Sequence, residues 1–490
     1  MSALVALSTI VDALRDAKLL EAIRGDLPRE ISLMTDDSRA VRAGALFLAV
    51  RGVERDGHDY LDAAAAGGAS AALVADATRT TLPALVVKDT RRAAAVAAAA
   101  FYGNPAEGLR LLGVTGTNGK TTTVGMLRHL LDEPAAPAAS IGTLGVLLGS
   151  EGRAMDGGSG LTTPGPVELQ RVLRQLHDAG VRTVAMETSS HALHQRRVDG
   201  LAFQAGVFTN LTRDHLDYHV SMDAYLAAKA LLVGLLAPDG AAVVNAEDAA
   251  WAALPAAPRT IRFGLAHHAD VTAADVRYSP RGSEWTLVAG KTRHAVVLPL
   301  IGDFNVANAL AAAAAAWAIG VPPERVAARL CTMPQVPGRL EILHEGPTVL
   351  RDYAHTPDAL ERALAAVRPF TAGSLIAVFG CGGDRDRGKR PEMGRIAEAG
   401  ADRVIVTSDN PRTEDPERIL DDIEAGMTRG GHERIEDRRG AIARAIAMAG
   451  AGDVILLAGK GHETYQIRGT VKHPFDERAI VREIIAEGTP

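Results

Sequence analysis

The sequence predicts an α/β protein of three domains, and three observations carry the prediction. Its 490 residues exceed what one hydrophobic core organises, so about three domains are expected. Short apolar strand signals alternate with helical patterns along the length, the arrangement that yields largely parallel sheets. A glycine-punctuated loop over 113–123, Gly-Val-Thr-Gly-Thr-Asn-Gly-Lys-Thr-Thr-Thr, follows an apolar run and opens a helical pattern, which is the context of a phosphate cradle.

Taken in order, residues 1–108 alternate strand signals at 46–50, 71–74 and 84–87 with alanine-rich helices and close on Tyr102-Gly-Asn-Pro105. They predict a small N-terminal α/β domain. Residues 109–333 predict a central P-loop domain, with strands at 109–114, 183–187, 205–209 and 241–245 in a mostly parallel sheet. Near 270–300, turn signals at Pro280-Arg-Gly and Ala289-Gly-Lys mark a small antiparallel side sheet. The apolar run 309–321 reads as a buried helix. Residues 334–339, Pro-Gln-Val-Pro-Gly-Arg, read as a linker. Strands at 348–352, 375–379, 403–407 and 454–457 then make 334–490 a second doubly wound, Rossmann-like domain. In such sheets ligands bind beyond the carboxyl ends of the strands, where Asp352 and residues 380–390, 409–412 and 459–463 lie.

Composition excludes several classes. The hydrophobic fraction of 47% and charged fraction of 23% are those of a globular chain. A net charge of -6 gives no support to bulk nucleic-acid binding, although local clusters such as 385–390 suit anionic ligands. The two cysteines, Cys331 and Cys381, fit no metal or CxxC pattern, which points to a reducing compartment, by default the cytoplasm. The N-terminus lacks a basic region and an apolar core, and no apolar run is long enough to span a bilayer, so no membrane insertion is expected.

The loop implies nucleotide binding. Gly116 and Gly119 let backbone N–H groups approach phosphate, Lys120 reaches the terminal phosphates, and Thr121 at the helix start suits Mg²⁺. Val114 stands where the generic loop has its first glycine, so the match is to a variant. Glu187 ends an apolar strand beside Thr188-Ser-Ser-His191 and is a candidate Mg²⁺ ligand. Asp214, His215, Asp217 and His219 crowd six residues; each alone is an ordinary cap or surface group, but together they suggest a site, with zinc a poor fit beside a phosphate loop. Lys229 lies mid-helix among small and apolar residues. Physics alone reads it as a surface lysine lying along apolar neighbours, and a desolvated amine is the alternative. Asp409-Asn410-Pro411-Arg412 follows a strand directly, so that a guanidinium can pair with a carboxylate while Asp409 and Asn410 receive an ammonium. A helix N-cap is the competing explanation.

Residues 113–123, Met186-Glu-Thr-Ser-Ser-His191, 209–219, Asp352-Tyr-Ala-His-Thr-Pro-Asp358, Gly380-Cys-Gly-Gly-Asp-Arg385 and 409–412 together resemble the Mur ligases in order and spacing. The resemblance implies an N-terminal UDP-sugar-binding domain, a central ATPase and a C-terminal amino-acid-binding domain. It further implies addition of meso-2,6-diaminopimelate to the D-Glu γ-carboxylate of UDP-N-acetylmuramoyl-L-Ala-D-Glu through an acyl phosphate, in peptidoglycan precursor synthesis, by a cytoplasmic monomer. ATP would lie on Gly116, Thr117, Asn118, Gly119, Lys120, Thr121, Thr122, Asn308, Arg339 and Asp352. The UDP-sugar dipeptide would lie on Asp36, Ser38, Val53, Glu54, Arg55, Thr162, Thr163, Ser189, Gln195, Arg197 and Lys229. Diaminopimelate would lie on Arg385, Asp409, Asn410, Pro411, Arg412, Gly459 and Glu463.

By the same resemblance Lys229 carries an N-carboxylate that joins Thr121, Glu187 and His215 around Mg²⁺; Lys120, Lys229, His215 and Glu187 form the catalytic set. A sister ligase using L-lysine is one alternative, but lysine would leave Arg412 without a carboxylate. Folylpolyglutamate synthases share the Gly-Thr-Asn-Gly-Lys loop and are not expected to share Asp-Asn-Pro-Arg. An ATP-driven switch that joins no substrates is a third reading, against which the second doubly wound domain argues.

Overall fold

A computed structural model describes residues 4–52, 55–158, 160–265 and 268–488. Val53 and Glu54, expected at the UDP-sugar, lie outside the described residues. Contacts divide the chain into two compact units, Met1–Thr272 with Ala289–Lys291 and Ala309–Val326, and Ala273–Val288 with Thr292–Asn308 and Ala327–Pro490.

The N-terminal sheet has five strands in the order Leu20–Arg24, Ala84–Val87, Ala69–Val74, Ala45–Leu48, Leu33–Thr35. The last four are parallel, and the first pairs antiparallel at the edge. Ala45–Leu48 is wholly buried, as a continuous apolar run in a sheet covered on both faces should be. The helix Thr90–Phe101 starts where the Asp89 carboxylate accepts from the Arg91 and Arg92 N–H groups, a side-chain cap on otherwise unpaired donors. Its alanines then pack against that sheet.

An eleven-stranded central sheet places Arg110–Thr115 between Thr183–Glu187 and Phe203–Phe208, parallel to both. From Arg110–Thr115 the chain next builds towards one edge through Ala138–Gly142, and later towards the other through Leu236–Asn245. That reversal is a topological switch point, where open α/β sheets bind ligands. The strands expected near 270–300 are Val271–Ser279, Gly282–Ala289 and Thr292–Leu298; they continue the order of this sheet at its edge. Of the apolar run 309–321, residues 309–318 fall in the helix Asp303–Ala318, whose alanines are buried, and 319–321 lie beyond its end. Among the described residues no helix is long and apolar enough to cross a membrane.

The C-terminal sheet has the order Glu341–His344, Thr348–Asp352, Val454–Ala458, Leu375–Phe379, Arg403–Val406, Glu433–Arg434. All neighbours are parallel except the first pair. Two buried apolar layers cover its faces. Beneath the strand ends lies a fully buried ion pair, Arg438 to Glu477 at 2.8 Å, and Arg438 also donates to the carbonyl oxygen of Ala458 at 2.9 Å.

Candidate active site

In the first unit, the strand Arg110–Thr115 delivers the chain to residues 116–119 and the helix Lys120–Leu131. Gly116 has φ +147° and Gly119 φ +85°, conformations L side chains rarely adopt. A Cβ at Gly116 would lie 1.8 Å from Thr209 Oγ1. The loop is tied from below by residues after the neighbouring strand: Thr209 Oγ1 donates to the Asn118 carbonyl at 2.6 Å, and Asn210 Oδ1 accepts from the Asn118 N–H at 2.8 Å. Lys120 Nζ donates to the carbonyls of Gly116 and Thr117 at 3.0 and 2.8 Å. Thr121 and Thr122 follow in the first helical turn, both buried.

Lys229 departs from the surface lysine that its sequence context suggested. It is 1% exposed, donates to the Gly116 carbonyl at 2.7 Å, and stands 4.2 Å above the centre of the Tyr225 ring. The Tyr225 hydroxyl lies 3.3 Å from Thr117 Oγ1, so one helix, Met222–Ala230, fixes both lysine and loop. Burial, reinforced by the nearby Lys120 charge, holds the Lys229 amine well below the usual lysine range, favouring the neutral form.

Glu187 is 1% exposed; Oε1 accepts from the Thr143 N–H at 2.8 Å and Oε2 from the Thr143 hydroxyl at 3.2 Å. The Thr143 hydroxyl oxygen also lies 3.3 Å from Thr162 Oγ1, and Thr163 Oγ1 donates to the Glu187 carbonyl at 2.7 Å. Ser189 caps the helix Ser190–His194. Arg197 donates to the Thr163 carbonyl at 2.9 Å and to Gln195 Oε1 at 2.6 Å, so Thr162, Thr163, Ser189, Gln195 and Arg197 form one connected rim.

The 214–219 cluster separates by role. His215 remains 44% exposed, with Nε2 3.5 Å from Asp214 Oδ2, while Asp217 is exposed. His219 is buried against the Ser190 hydroxyl at 3.0 Å; burial and the charges of His194 and His215 push it down to about 4, so it is a neutral packing group. Among the described residues no three His, Cys, Asp or Glu side chains gather as a metal cluster. In the N-terminal sheet's loops, Asp37 caps the short helix Ser38–Ala40 beside Asp36, and exposed Arg55 reaches the Tyr60 hydroxyl at 3.5 Å.

In the second unit, the residues expected at diaminopimelate come together on three loops. Asn410 Nδ2 donates to Glu463 Oε2 at 2.8 Å, and Asn410 Oδ1 accepts from the Ile467 N–H at 2.9 Å. Gln466 donates to the Asp409 carbonyl at 2.8 Å. Arg412, at φ +51°, donates to the Gly383 carbonyl at 2.7 Å, and the Gly383 N–H donates back to the Asn410 carbonyl at 2.9 Å. A Cβ at Gly383 would lie 1.9 Å from the Pro411 oxygen, so the two loops touch through backbone. Gly459, at φ +113°, faces the Asp409 carboxylate. Arg385 is exposed and donates to the Asp384 carbonyl. The helix-cap explanation for 409–412 is overturned, because Asp415 caps the next helix, Pro416–Glu424.

Among the residues expected at ATP in this unit, Asp352 uses both carboxylate oxygens on backbone N–H groups, Leu340 at 2.7 Å and Ala354 at 2.8 Å. Burial raises its carboxyl, against the lowering influence of Arg339. The Arg339 guanidinium stacks 4.8 Å from the Tyr353 ring centre, and Asn308 donates to Asn305 Oδ1 at 3.2 Å.

Sequence reasoning passed over Thr143, Asn210, Tyr225 and Lys460. Asn210 and Lys460 had a signal, since each stands two residues past the end of a buried strand, Lys460 between two glycines. Thr143 and Tyr225 had none beyond their residue type.

Comparisons with known proteins agree along the chain. The Mur ligase family, catalytic domain, matches residues 30–106; the Mur ligase middle domain matches 114–316; the Mur ligase, glutamate ligase domain, matches 338–461. A UDP-N-acetylmuramoyl-L-alanyl-D-glutamate–2,6-diaminopimelate ligase of Gloeobacter violaceus is 45% identical over 94% of this chain and 94% of its own. That of Geobacter metallireducens is 46% identical over 95% and 96%. A solved structure of a ligase so named superposes with a TM-score of 0.70 at 35% identity, covering all of both chains.

Proposed function

The chain belongs to the Mur ligase family, and from that premise we propose that it joins meso-2,6-diaminopimelate to the D-glutamate of UDP-N-acetylmuramoyl-L-alanyl-D-glutamate with cleavage of ATP. This is a step of peptidoglycan precursor synthesis. The observation that carries the reading is the 45% identity to a ligase of that name over 94% of both chains.

In the reading we propose, residues 1–108 hold the UDP-sugar, 109–333 hold ATP and 334–490 hold the amino acid. The D-Glu γ-carboxylate attacks the γ-phosphorus and releases ADP; the amino group of diaminopimelate then attacks the acyl phosphate, and phosphate leaves as the amide forms. The loop N–H groups at a helix N-terminus and the Lys120 ammonium offset the phosphate charge. Asn308, Arg339 and Asp352 serve the adenine, phosphate and ribose, and the rim from Thr162 to Arg197 seats the dipeptide.

The residues fit Mg²⁺ in kind. Each Glu187 oxygen accepts a single Thr143 donor, leaving lone pairs on a carboxylate that has room for more partners, and Thr121 and His215 supply further donors. Bound there, Mg²⁺ would neutralise phosphate charge. Lys229 joins this set as a carbamate: its neutral amine attacks carbon dioxide, a C–N bond forms, a proton leaves, and the nitrogen carries a carboxylate. The depressed amine basicity supports this, because only the unprotonated form reacts. Two cysteines outside any disulfide suit the cytoplasm, where ATP is supplied.

The test is a purified-enzyme assay of phosphate release and amide product with the UDP-dipeptide, ATP and either meso-diaminopimelate, L-lysine or L-ornithine. Diaminopimelate is expected to be strongly preferred. Equal use of lysine would overturn the acceptor assignment, and phosphate release without an amide product would overturn the ligase.

A further inference from the structure

The most deeply buried ammonium in the second unit belongs to a residue the function above does not use. Lys460 is 0% exposed, and its Nζ lies 3.1 Å from Asn410 Oδ1, 3.1 Å from Glu463 Oε2 and 3.5 Å from Asp409 Oδ1. All three acceptors are residues placed at diaminopimelate, and they come from two loops that the Asn410–Glu463 hydrogen bond also joins. A buried cation is costly unless it is paired and hydrogen-bonded, and the acceptors meet that demand. The Tyr465 ring centre stands 6.0 Å from the ammonium.

We propose that Lys460 is the positioning residue of the acceptor site, holding Asp409, Asn410 and Glu463 in one constellation and setting its charge. The inference rests on the diaminopimelate reading. Asp409 and Glu463 carry two formal negative charges, and Lys460 and Arg412 two positive ones, so these four side chains sum to zero; Arg385, also placed at diaminopimelate, is exposed and donates to the Asp384 carbonyl. A neutral group suits a zwitterionic end bearing both an ammonium and a carboxylate. Without the Lys460 charge the same group is anionic: it repels the carboxylate of diaminopimelate and still attracts the ammonium of lysine. Loss of Lys460 therefore weakens diaminopimelate more than lysine.

The experiment compares steady-state kinetics of the wild type, Lys460→Met and Lys460→Arg, with thermal melts of each. In Lys460→Met, KM for meso-diaminopimelate is expected to rise by about tenfold or more, while KM for ATP and for the UDP-dipeptide stays within about twofold. The ratio of kcat/KM for diaminopimelate to that for L-lysine is expected to fall. Lys460→Arg, which keeps the charge, is expected to preserve that ratio even where its rate drops. An unchanged KM and ratio in Lys460→Met would overturn the proposal. So would an equal rise in all three KM values, or insolubility of both variants, each of which marks a purely structural lysine. A wild type that fails to use diaminopimelate overturns the functional reading itself, an outcome distinct from wild-type turnover with an indifferent Lys460→Met.

Discussion

Lys229 Nζ lies 2.7 Å from the Gly116 carbonyl oxygen, so the phosphate loop and the amine proposed to carry a carbamate share one hydrogen bond. Lys229→Ala is expected to lower product formation by at least about a hundredfold, the scale of losing a group that stabilises developing charge. A short carboxylic acid added to the assay should restore part of the activity by supplying the missing carboxylate. Undiminished activity in Lys229→Ala would remove the carbamate from the mechanism.

Gly116→Ala tests the loop itself. The added Cβ would displace Thr209 Oγ1, which holds the Asn118 carbonyl. A stability loss of about 1–3 kcal/mol is expected, with a raised KM for ATP. Urea denaturation and ATP titration measure the two effects separately.

Gly383→Ala applies the same logic in the second unit, where the added carbon meets the Pro411 oxygen, a backbone atom. The 409–412 loop must shift, so KM for diaminopimelate should rise while KM for ATP does not. Equal changes in both would show that the loop contact serves the fold as a whole.

Much of this was legible beforehand, for reasons that differ by residue. The strands Thr183–Glu187, Thr348–Asp352 and Leu375–Phe379 coincide with the signals at 183–187, 348–352 and 375–379, because buried parallel strands are unbroken apolar runs between polar turns. The 409–412 loop was legible because three polar groups follow a strand end. The burial of Lys229 was not: its nearest neighbours along the helix, Ala227, Ala228 and Ala230, are small and apolar, so periodicity names no buried face. Its amine meets the Gly116 carbonyl, far away in sequence, and the Tyr225 ring. The role of Asp352 was only half legible. Its place beyond a strand is visible in the sequence, but its grip on the Leu340 and Ala354 N–H groups depends on the turn.

Acid should loosen the second unit through Glu414. This carboxylate accepts from Arg390 at 2.9 and 3.1 Å and from the Asp384 N–H at 2.5 Å, and the Arg390 bonds foremost hold it down to about 2. Between the ordinary value of 4.5 and about 2, the unfolded chain binds more protons than the folded one. The stability this group contributes is thus full above that window and is lost as pH falls through it. The urea midpoint should drop between roughly pH 6, above the window, and roughly pH 3, inside it, and Glu414→Gln should drop less. An identical pH dependence in the variant would exclude Glu414 as the cause.

Arg438→Met leaves Glu477 as a buried, unpaired charge under the strand ends, and a loss of about 3–5 kcal/mol is expected. The double substitution Arg438→Met with Glu477→Leu should recover a large part of it, since neither charge remains. Urea denaturation of both variants decides; a double variant no more stable than the single would show that the Arg438 bond to the Ala458 carbonyl matters more than the pair.

Apart from Lys120, the partners described for the phosphate loop arrive late from the ribosome. Asn118 is held by residues 91 and 92 positions downstream, Thr117 meets a hydroxyl 108 positions on, and Gly116 waits for an amine 113 positions on. A nascent chain that has emerged only through the helix Lys120–Leu131 therefore owns the glycine loop and the Lys120 ammonium on its carbonyls, but none of these distant braces. Translation must run past Lys229 before the loop acquires its braces, so prematurely terminated fragments are expected to be silent towards ATP instead of draining it.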